Sequence, residues 1–461
     1  MKRYGSFVRI IRRRHMPRGA VRPGRAIMLG FLLVILLGAC LLHLPISTRS
    51  GGATPFVDCL FTATSATCVT GLVVLDTWQH WNIVGQIVIL CLIQIGGLGI
   101  MSVTALGAFF MRRTITVRER LEMSASLSVD DIAGVVRLMR DVMLFTAAVE
   151  LAGAALLSFR FVPQFGWADG LWKALFHAVS AFCNAGFDLM GQRVAFSNLT
   201  DYVRDPLVNW VIILLIVMGG LGFGVWRDLH EHRRWNRLSV HTKLVLIVTA
   251  ILIVGGTAAV FALESNNPQT LGGMPLGDRL MASVFQAVTC RTAGFNTIDQ
   301  GALHGGTAMI CILLMFVGGS SGSTAGGIKT TSAAVLVLAA WSVLRGKRDI
   351  TVFHRRLDNR LVLHAVTLVM SAFALIVVGS LILCTADDVA MERALYETVS
   401  AFSTTGLSEN LTPTLGTISK LWLILEMYLG RIGILTLGVA VFTRSVMEPK
   451  IGYPKGRVMV G

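Results

Sequence analysis

The sequence predicts an all-α integral membrane protein built from four covalently linked membrane-pore-membrane repeats around a pseudo-fourfold axis, with eight spans and four re-entrant pore helices. Three observations predict it. Hydrophobic residues fill 54% of the 461 positions and charged residues only 15%. With a mean hydropathy of +0.68, the chain has too little polar surface for a soluble protein of this length. Apolar runs long enough to cross about 30 Å of hydrocarbon recur along it. A shorter amphipathic stretch that ends in Thr/Ser/Ala-rich text and a glycine occurs four times, at Gly71, Gly186, Gly294 and Gly406. These glycines are 115, 108 and 112 residues apart, the signature of one unit repeated around a common axis.

The long runs lie near 26–46, 81–111, 139–162, 206–226, 244–263, 359–384 and 417–443, and an eighth, 304–344, is broken in its middle. They divide the chain into a basic N-terminus (1–25), repeat 1 (26–111), repeat 2 (139–226), repeat 3 (244–344, with an intramembrane loop at 318–332), repeat 4 (359–444) and a tail (445–461). Each unit reads as a full span, a half-length segment, a glycine tract and a second full span. The half-length segments, 55–66, 168–181, 278–289 and 391–402, are too short to cross a bilayer. They must descend part way and return as extended chain.

The net charge of +15 raises nucleic-acid binding, but the placement of the charges excludes it. With the glycine tracts external, 30 of the 41 Lys and Arg fall on one side, in 1–25, 112–140, 227–243, 345–360 and 444–461, and nine on the other. The positive-inside rule then makes both termini cytoplasmic. The first 25 residues carry nine Lys or Arg and no acid, an orientation signal and a contact for anionic lipids. The eight cysteines form no CxxC pair and no Cys/His zinc spacing, which leaves packing as their role.

Non-helical backbone at membrane depth is tolerated only where protein or water satisfies its polar groups, so the glycine tracts line a cavity. Half-helices entering from outside point their partially negative C-terminal ends at the membrane centre, which favours a cation there. Extended residues can turn carbonyl oxygens inward to replace an ion's water shell, and glycine permits the positive φ this needs. The candidate filter is Thr67, Cys68, Val69, Thr70 and Gly71; Cys183, Asn184, Ala185 and Gly186; Arg291, Thr292, Ala293 and Gly294; and Ser403, Thr404, Thr405 and Gly406. An acid follows each glycine, Asp76, Asp188, Asp299 and Glu409. At an outer mouth these would concentrate cations, and elsewhere they would cap loop ends.

Each second span carries a break: Gly96-Gly97-Leu98-Gly99, Gly219-Gly220-Leu221-Gly222, Gly318-Gly319-Ser320-Ser321 and Gly430-Arg431-Ile432-Gly433. The third expands into Gly318, Gly319, Ser320, Ser321, Gly322, Ser323, Thr324, Ala325, Gly326, Gly327, Ile328 and Lys329. So much glycine and serine holds a helix poorly, each interior glycine costing about 0.5–1 kcal/mol, and the run is expected to form a loop beneath the filter. Lys329 is expected at its cytoplasmic end, paired with an acid or a partner. Arg431 at mid-span costs at least about 2.5 kcal/mol to insert, so it should face protein or water, contact the loop's carbonyls or hydroxyls, and oppose cations in a closed state. The stretch GSTAGGIK superficially matches a phosphate-binding loop, but Ile328 separates Gly327 from Lys329 and no strand-helix context surrounds it.

At these tracts the sequence resembles the Trk/Ktr/HKT superfamily of potassium transporters, most closely a Ktr-type pore subunit. The resemblance covers nearly the whole chain and is carried by VTGLVVLDT (69–77), NAGFD (184–188), RTAGFNTID (291–299), GGSSGSTAGGIKTT (318–331), GLSENLT and GRIGIL. It implies potassium uptake across the cytoplasmic membrane of a prokaryote through a carbonyl filter, with the 318–327 loop, Lys329 and Arg431 as gate. It implies sodium as a candidate activator and no cofactor in this chain. It further implies a homodimer docked on a cytosolic ring of nucleotide-binding regulator-of-conductance subunits, so nucleotide binds only on that separate chain. The alternative is a secondary transporter of sodium, ammonium or another small cation. An enzyme is not expected, because Glu150, Lys329, Glu426 and Arg431 form no catalytic set.

Overall fold

The computed structural model describes residues 23–99, 135–347 and 349–433. Residues 1–22 of the basic N-terminus, 100–111 of repeat 1, 434–444 of repeat 4 and the 445–461 tail lie outside the described residues. Four helices are long and apolar enough to cross a bilayer: α1 (Pro23–His43), α5 (Val135–Phe165), α9 (Val240–Glu264) and α13 (Asn359–Asp387). Only 22% to 28% of each apolar window is buried within the chain, so most of this apolar surface faces outward, as hydrocarbon contact requires.

After each comes a shorter helix: α2 (Phe56–Cys68), α6 (Trp167–Cys183), α10 (Leu276–Thr289) and α14 (Met391–Ser403). Each carries an acid in its first turn, Asp58, Asp169, Asp278 and Glu392, where negative charge complements the helix dipole. Lys420 pairs with Asp58 at 2.8 Å, and so ties the last repeat to the first. In α2 and α6 the C-terminal half is buried without a break, at Phe61–Cys68 and Phe176–Cys183.

Then come α4 (Ile83–Leu98), reached through a one-turn helix α3 (Thr77–His80), and α7 (Pro206–Leu221), α11 (Gly305–Phe316) and α15 (Thr417–Ile432). Each ends at or beside the glycine break expected in its span. Sixteen residues extend roughly 24 Å and twelve roughly 18 Å, short of the hydrocarbon thickness. Each of the three sixteen-residue helices stops at a glycine of positive φ: Gly99 (81°), Gly222 (94°) and Gly433 (87°). At Gly222 the chain turns by 89° into α8 (Phe223–Glu231), so the expected span 206–226 is bent rather than continuous. After α11 the chain runs non-helically to α12 (Thr330–Leu344), and residues 330–332 of the expected loop belong to that helix. A two-rung hairpin, β1 (Thr351–Val352) with β2 (Arg355–Arg356), precedes α13.

Packing runs in one cycle. Each long helix covers the short helix after it: α1 on α2, α5 on α6, α9 on α10, α13 on α14. Each of α4, α7, α11 and α15 then lies against the short helix of the next unit, α6, α10, α14 and α2 respectively. Glycines allow the closest approaches. A methyl group on Gly96, Gly219 or Gly430 would fall on the carbonyl oxygen of Thr67, Phe182 or Phe402, each four residues before a tract glycine.

Gly430→Ala is therefore expected to cost about 1–3 kcal/mol through overpacking, read as a lower thermal midpoint in detergent. Gly224→Ala, on α8 with open space where its Cβ would sit, should leave that midpoint unchanged or raise it.

Candidate functional site

The local chemistry of the short helices shapes the tracts that follow. Each tract holds a non-glycine residue in the left-handed region two positions before its glycine: Val69 (58°), Asn184 (60°), Thr292 (67°) and Thr404 (52°). The glycines follow at 96°, 69°, 80° and 90°, with the residue between at negative φ. Alternating handedness turns successive carbonyls toward one side, where an extended strand would alternate them. A β-branched residue at positive φ is strained, and such strain persists only where the surroundings enforce it.

Those surroundings are visible. In three tracts the residue after the left-handed one donates its N–H five residues back, Thr70 to Ser65 O at 2.8 Å, Ala185 to Ser180 O at 2.7 Å and Thr405 to Ser400 O at 2.8 Å, closing the helix in a Schellman turn. The Ser65 and Ser400 hydroxyls each accept the N–H of the tract glycine at 3.1 Å. Ser180 donates instead to Phe187 O at 2.8 Å, and Thr289 to Phe295 O at 2.5 Å. Sequence reading missed these four hydroxyls. The signal was the small hydroxyl five or six residues before each glycine.

The four tracts meet. The position of a Cβ on Gly71 lies 2.6 Å from Ala185 O, on Gly186 2.9 Å from Ala293 O, and on Gly294 2.6 Å from Thr405 O. On Gly406 it would fall on Thr70 O. Glycine-to-carbonyl contacts thus run from unit to unit and back to the first, a closed ring of backbone. Outside the ring opens a cavity of about 740 Å³ whose floor includes all four glycines. The Thr67, Thr70, Thr292 and Thr404 hydroxyls are buried without a hydrogen-bond partner, polar valence that a hydrated or dehydrating ion can take up.

Not every expected side chain points at this ring. Arg291 donates to Thr249 on α9 at 3.3 Å, and so offers the tract its backbone only. Cys183 approaches Gln94 at 3.8 Å and Glu150 at 3.7 Å, behind the tract. The acids divide. Asp188 and Asp299 line the outer cavity. Asp76 instead caps α3 through Trp78 N and Gln79 N and accepts from Phe196 N at 2.7 Å, and Glu409 pairs with Arg393 at 3.7 Å. Loop ends need acceptors, and Asp76 supplies one, as does Asp299, which also accepts from Gly301 N at 3.0 Å. Burial pushes the Glu409 carboxyl above its ordinary value against the opposing charge of Arg393. Burial raises Asp188 to about 7, helped by Asp76 and opposed by the Met190 N–H and Lys173.

Beneath the ring, residues 317–329 form the loop. It is sewn to α7 by Ser320 N to Gly220 O (3.0 Å) and Thr324 N to Gly219 O (3.3 Å), and Phe223 N donates to Gly322 O (3.0 Å). The Thr324 hydroxyl donates to Phe182 O at 3.2 Å. Gly326 and Gly327 lie directly against Thr404 and Ser403, so the loop touches two tracts. Arg431 donates to Thr324 O on the loop and to Gly96 O and Gly97 O on α4. Among the described residues Lys329 pairs with no acid. It folds back to donate to Ala325 O at 2.6 Å, since a carbonyl is the acceptor within reach in this buried setting.

A helical membrane chain with a carbonyl-walled ring, an outer cavity and a loop below is built to pass small cations rather than to transform a substrate. A family model described as TrkH, cation transport protein, matches residues 34–450, and the chain belongs to this family of membrane cation transporters. It is 42% identical over 440 residues to the Ktr system potassium uptake protein B of Bacillus subtilis, covering 95% of this chain and 97% of that one. It is 40% identical to the potassium/sodium uptake protein NtpJ of Enterococcus hirae over 96% and 98% of the two chains. The fold matches the crystal structure of the potassium transporter TrkH from Vibrio parahaemolyticus with a TM-score of 0.72 at 17% identity, over 93% and 86% of the chains.

With a carboxyl near 7 facing the outer cavity, cation flux at subsaturating concentration should rise between external pH 6 and 8 as Asp188 ionises and draws cations in. Asp188→Asn should flatten this step, and saturating cation should abolish it. A step of equal size in the variant would assign it elsewhere.

Proposed function

We propose that this chain is the pore subunit of a potassium uptake system of a prokaryotic cytoplasmic membrane, with both termini cytoplasmic and potassium entering from outside down the membrane potential. The observation that carries the reading is the closed glycine-carbonyl ring. A potassium ion would shed water against backbone carbonyls of Thr67–Gly71, Cys183–Gly186, Arg291–Gly294 and Ser403–Gly406, whose left-handed residues aim oxygens without charged side chains. The cyclic packing supports four membrane-pore-membrane repeats about a pseudo-fourfold axis, eight membrane segments in all, with the domain limits given above. The name of the Enterococcus hirae relative supports sodium as a second transported or activating ion.

The 318–327 loop, Lys329 and Arg431 form the gate in this reading. The loop bridges units two and four under the ring, and Arg431 joins it to unit one. Two cationic side chains beside the path oppose a passing cation while the loop is in place. The short basic cytoplasmic segments hold no regulatory domain, so control would come from a separate nucleotide-binding regulator-of-conductance ring. Two copies of this chain would dock on it side by side in the membrane.

Expression should restore growth at low potassium in a cell lacking its own uptake systems. Full membrane expression without restored growth would count against potassium uptake. Gly294→Ser places a side chain 2.6 Å from Thr405 O at a φ of 80°, and should lower the potassium-to-sodium flux ratio several-fold in proteoliposomes. An unchanged ratio sinks the filter assignment.

Deleting Gly322–Gly326 removes the contacts to Phe223 and Thr404 and should raise flux in the absence of any regulator. Unchanged or lower flux would remove the loop from the gate.

A further inference from the structure

Two cysteines lie behind the third tract, outside the ring and the loop. Cys290 caps the C-terminal end of α10, immediately before Arg291. Cys311 sits on α11, six residues before Val317, where the loop begins. Both are fully buried and their thiols interact directly. The Gln286 amide reaches both sulfurs, donating at 3.8 Å to Cys290 and 3.4 Å to Cys311. Gln286 also exchanges hydrogen bonds of 2.7 and 3.1 Å with Gln300, which accepts from Tyr396 Oη at 3.0 Å. The thiol pair is thus the inner end of a buried polar layer set in apolar packing that includes Met315 and Phe402.

We propose that Cys290 and Cys311 form a two-coordinate site for a thiophilic d10 metal cation, and that metal bound there arrests cation conduction. Thiolate ligands select soft metals. Among the described residues no three His, Cys, Asp or Glu side chains converge, so a tetrahedral zinc-type site is not formed and linear coordination by two sulfurs fits what is present. The step with mercuric ion is Hg²⁺ + 2 RSH → RS–Hg–SR + 2 H⁺. Two S–H bonds break, two Hg–S bonds form, both protons leave to water, and nothing is oxidised. The product is neutral, which suits an apolar interior where a singly ligated, charged RS–Hg⁺ is penalised.

Binding would link the residue that precedes one tract to the helix that leads into the loop. A bridge here fixes α10 against α11, and roughly 9 Å of helix separates Cys311 from the loop's first residue. Movement of the loop relative to the third tract is then restrained. The sulfurs are reached only when the Gln286–Gln300 layer opens, so onset should be slow compared with reaction at exposed thiols.

The test uses the full-length reconstituted protein with the more accessible cysteines removed by Cys40→Ser, Cys91→Ser and Cys384→Ser, and Hg²⁺ as the probe. After exposure, denaturation and alkylation, peptide mass spectrometry should find Cys290 and Cys311 protected together, at lower Hg²⁺ than the isolated buried Cys59, Cys68 and Cys183. In flux assays Cys290→Ala and Cys311→Ala should each raise the half-blocking Hg²⁺ concentration at least tenfold, and the double variant no further. Protection of only one of the pair, or an unchanged half-blocking concentration in either variant, overturns the site. Joint protection with undiminished flux overturns the coupling to conduction. The block rests on the transport reading but the protection does not: absence of flux before metal is added would fault that reading, while protection still decides the site.

Discussion

Four backbone segments meet here with only glycine between them, and the rest of the molecule depends on that meeting. Any Cβ at Gly71, Gly186, Gly294 or Gly406 would collide with a carbonyl of the neighbouring tract. Four chain segments at membrane depth would otherwise repel through their unpaired carbonyls, so the short helices must be held in place from behind. That task falls to the long helices outside and to Gly96, Gly219 and Gly430, which let α4, α7 and α15 rest on the last carbonyls of the short helices. The hydroxyls of Ser65 and Ser400 then absorb the glycine N–H groups. Fold and site are one constraint seen at two distances.

The four units are alike where they meet and unlike elsewhere, and the differences concentrate in units three and four. In the third, α10 continues in right-handed geometry at Cys290, a valine stands where the others have serine six residues before the glycine, and the following helix stops after twelve residues. In the fourth, Glu426 occupies the place beside the long helix that Leu92, Leu215 and Leu314 fill against Gly38, Gly153 and Gly256. Its carboxyl accepts from Trp422 at 2.9 Å and its other oxygen has no partner. A buried polar group of this kind costs stability, and this one lies on the helix that carries Arg431. The departures reach the hydroxyls and helix ends behind the ring, while the glycine-to-carbonyl contacts of the ring are kept in all four units.

Much of this was legible in the sequence because glycine spacing and apolar length are local signals. The half-length segments 55–66, 168–181, 278–289 and 391–402 differ from helices α2, α6, α10 and α14 by a few residues at either end. The breaks in the second helices were legible as well, in the glycines of 96–99, 219–222, 318–319 and 430–433 rather than in hydropathy. Hydropathy continues through Gly99, Gly222 and Gly433, whereas the helix ends there because φ turns positive, and an apolar average does not register a single dihedral. The positions of Asp76 and Glu409 were equally hidden. An acid after a glycine tract reads as a charge at a mouth, and only the fold brings Phe196 N and Arg393 to it. Lys329, read from the sequence as paired with an acid or a partner, donates within this chain to Ala325 O.

In the proposed gate, Arg431 and Lys329 would set the energetic terms of opening. An arginine in mid-membrane is tolerable when acceptors meet its N–H groups, and here Nη1 donates to Thr324 O of the loop and Nη2 to Gly96 O and Gly97 O of α4. Charge-assisted hydrogen bonds contribute about 1.5–3 kcal/mol each. Withdrawing the loop strips Arg431 of one acceptor and leaves the two on α4. The guanidinium thus has a fixed anchor and a releasable one, and its charge stays near the path in both arrangements. Lys329 differs, because its acceptor belongs to the loop itself and travels with it. In the proposed gate, movement of the loop would carry one positive charge away and leave the other held, so the barrier to a cation would fall by the removal of Lys329 and of the peptide segment rather than by displacement of Arg431.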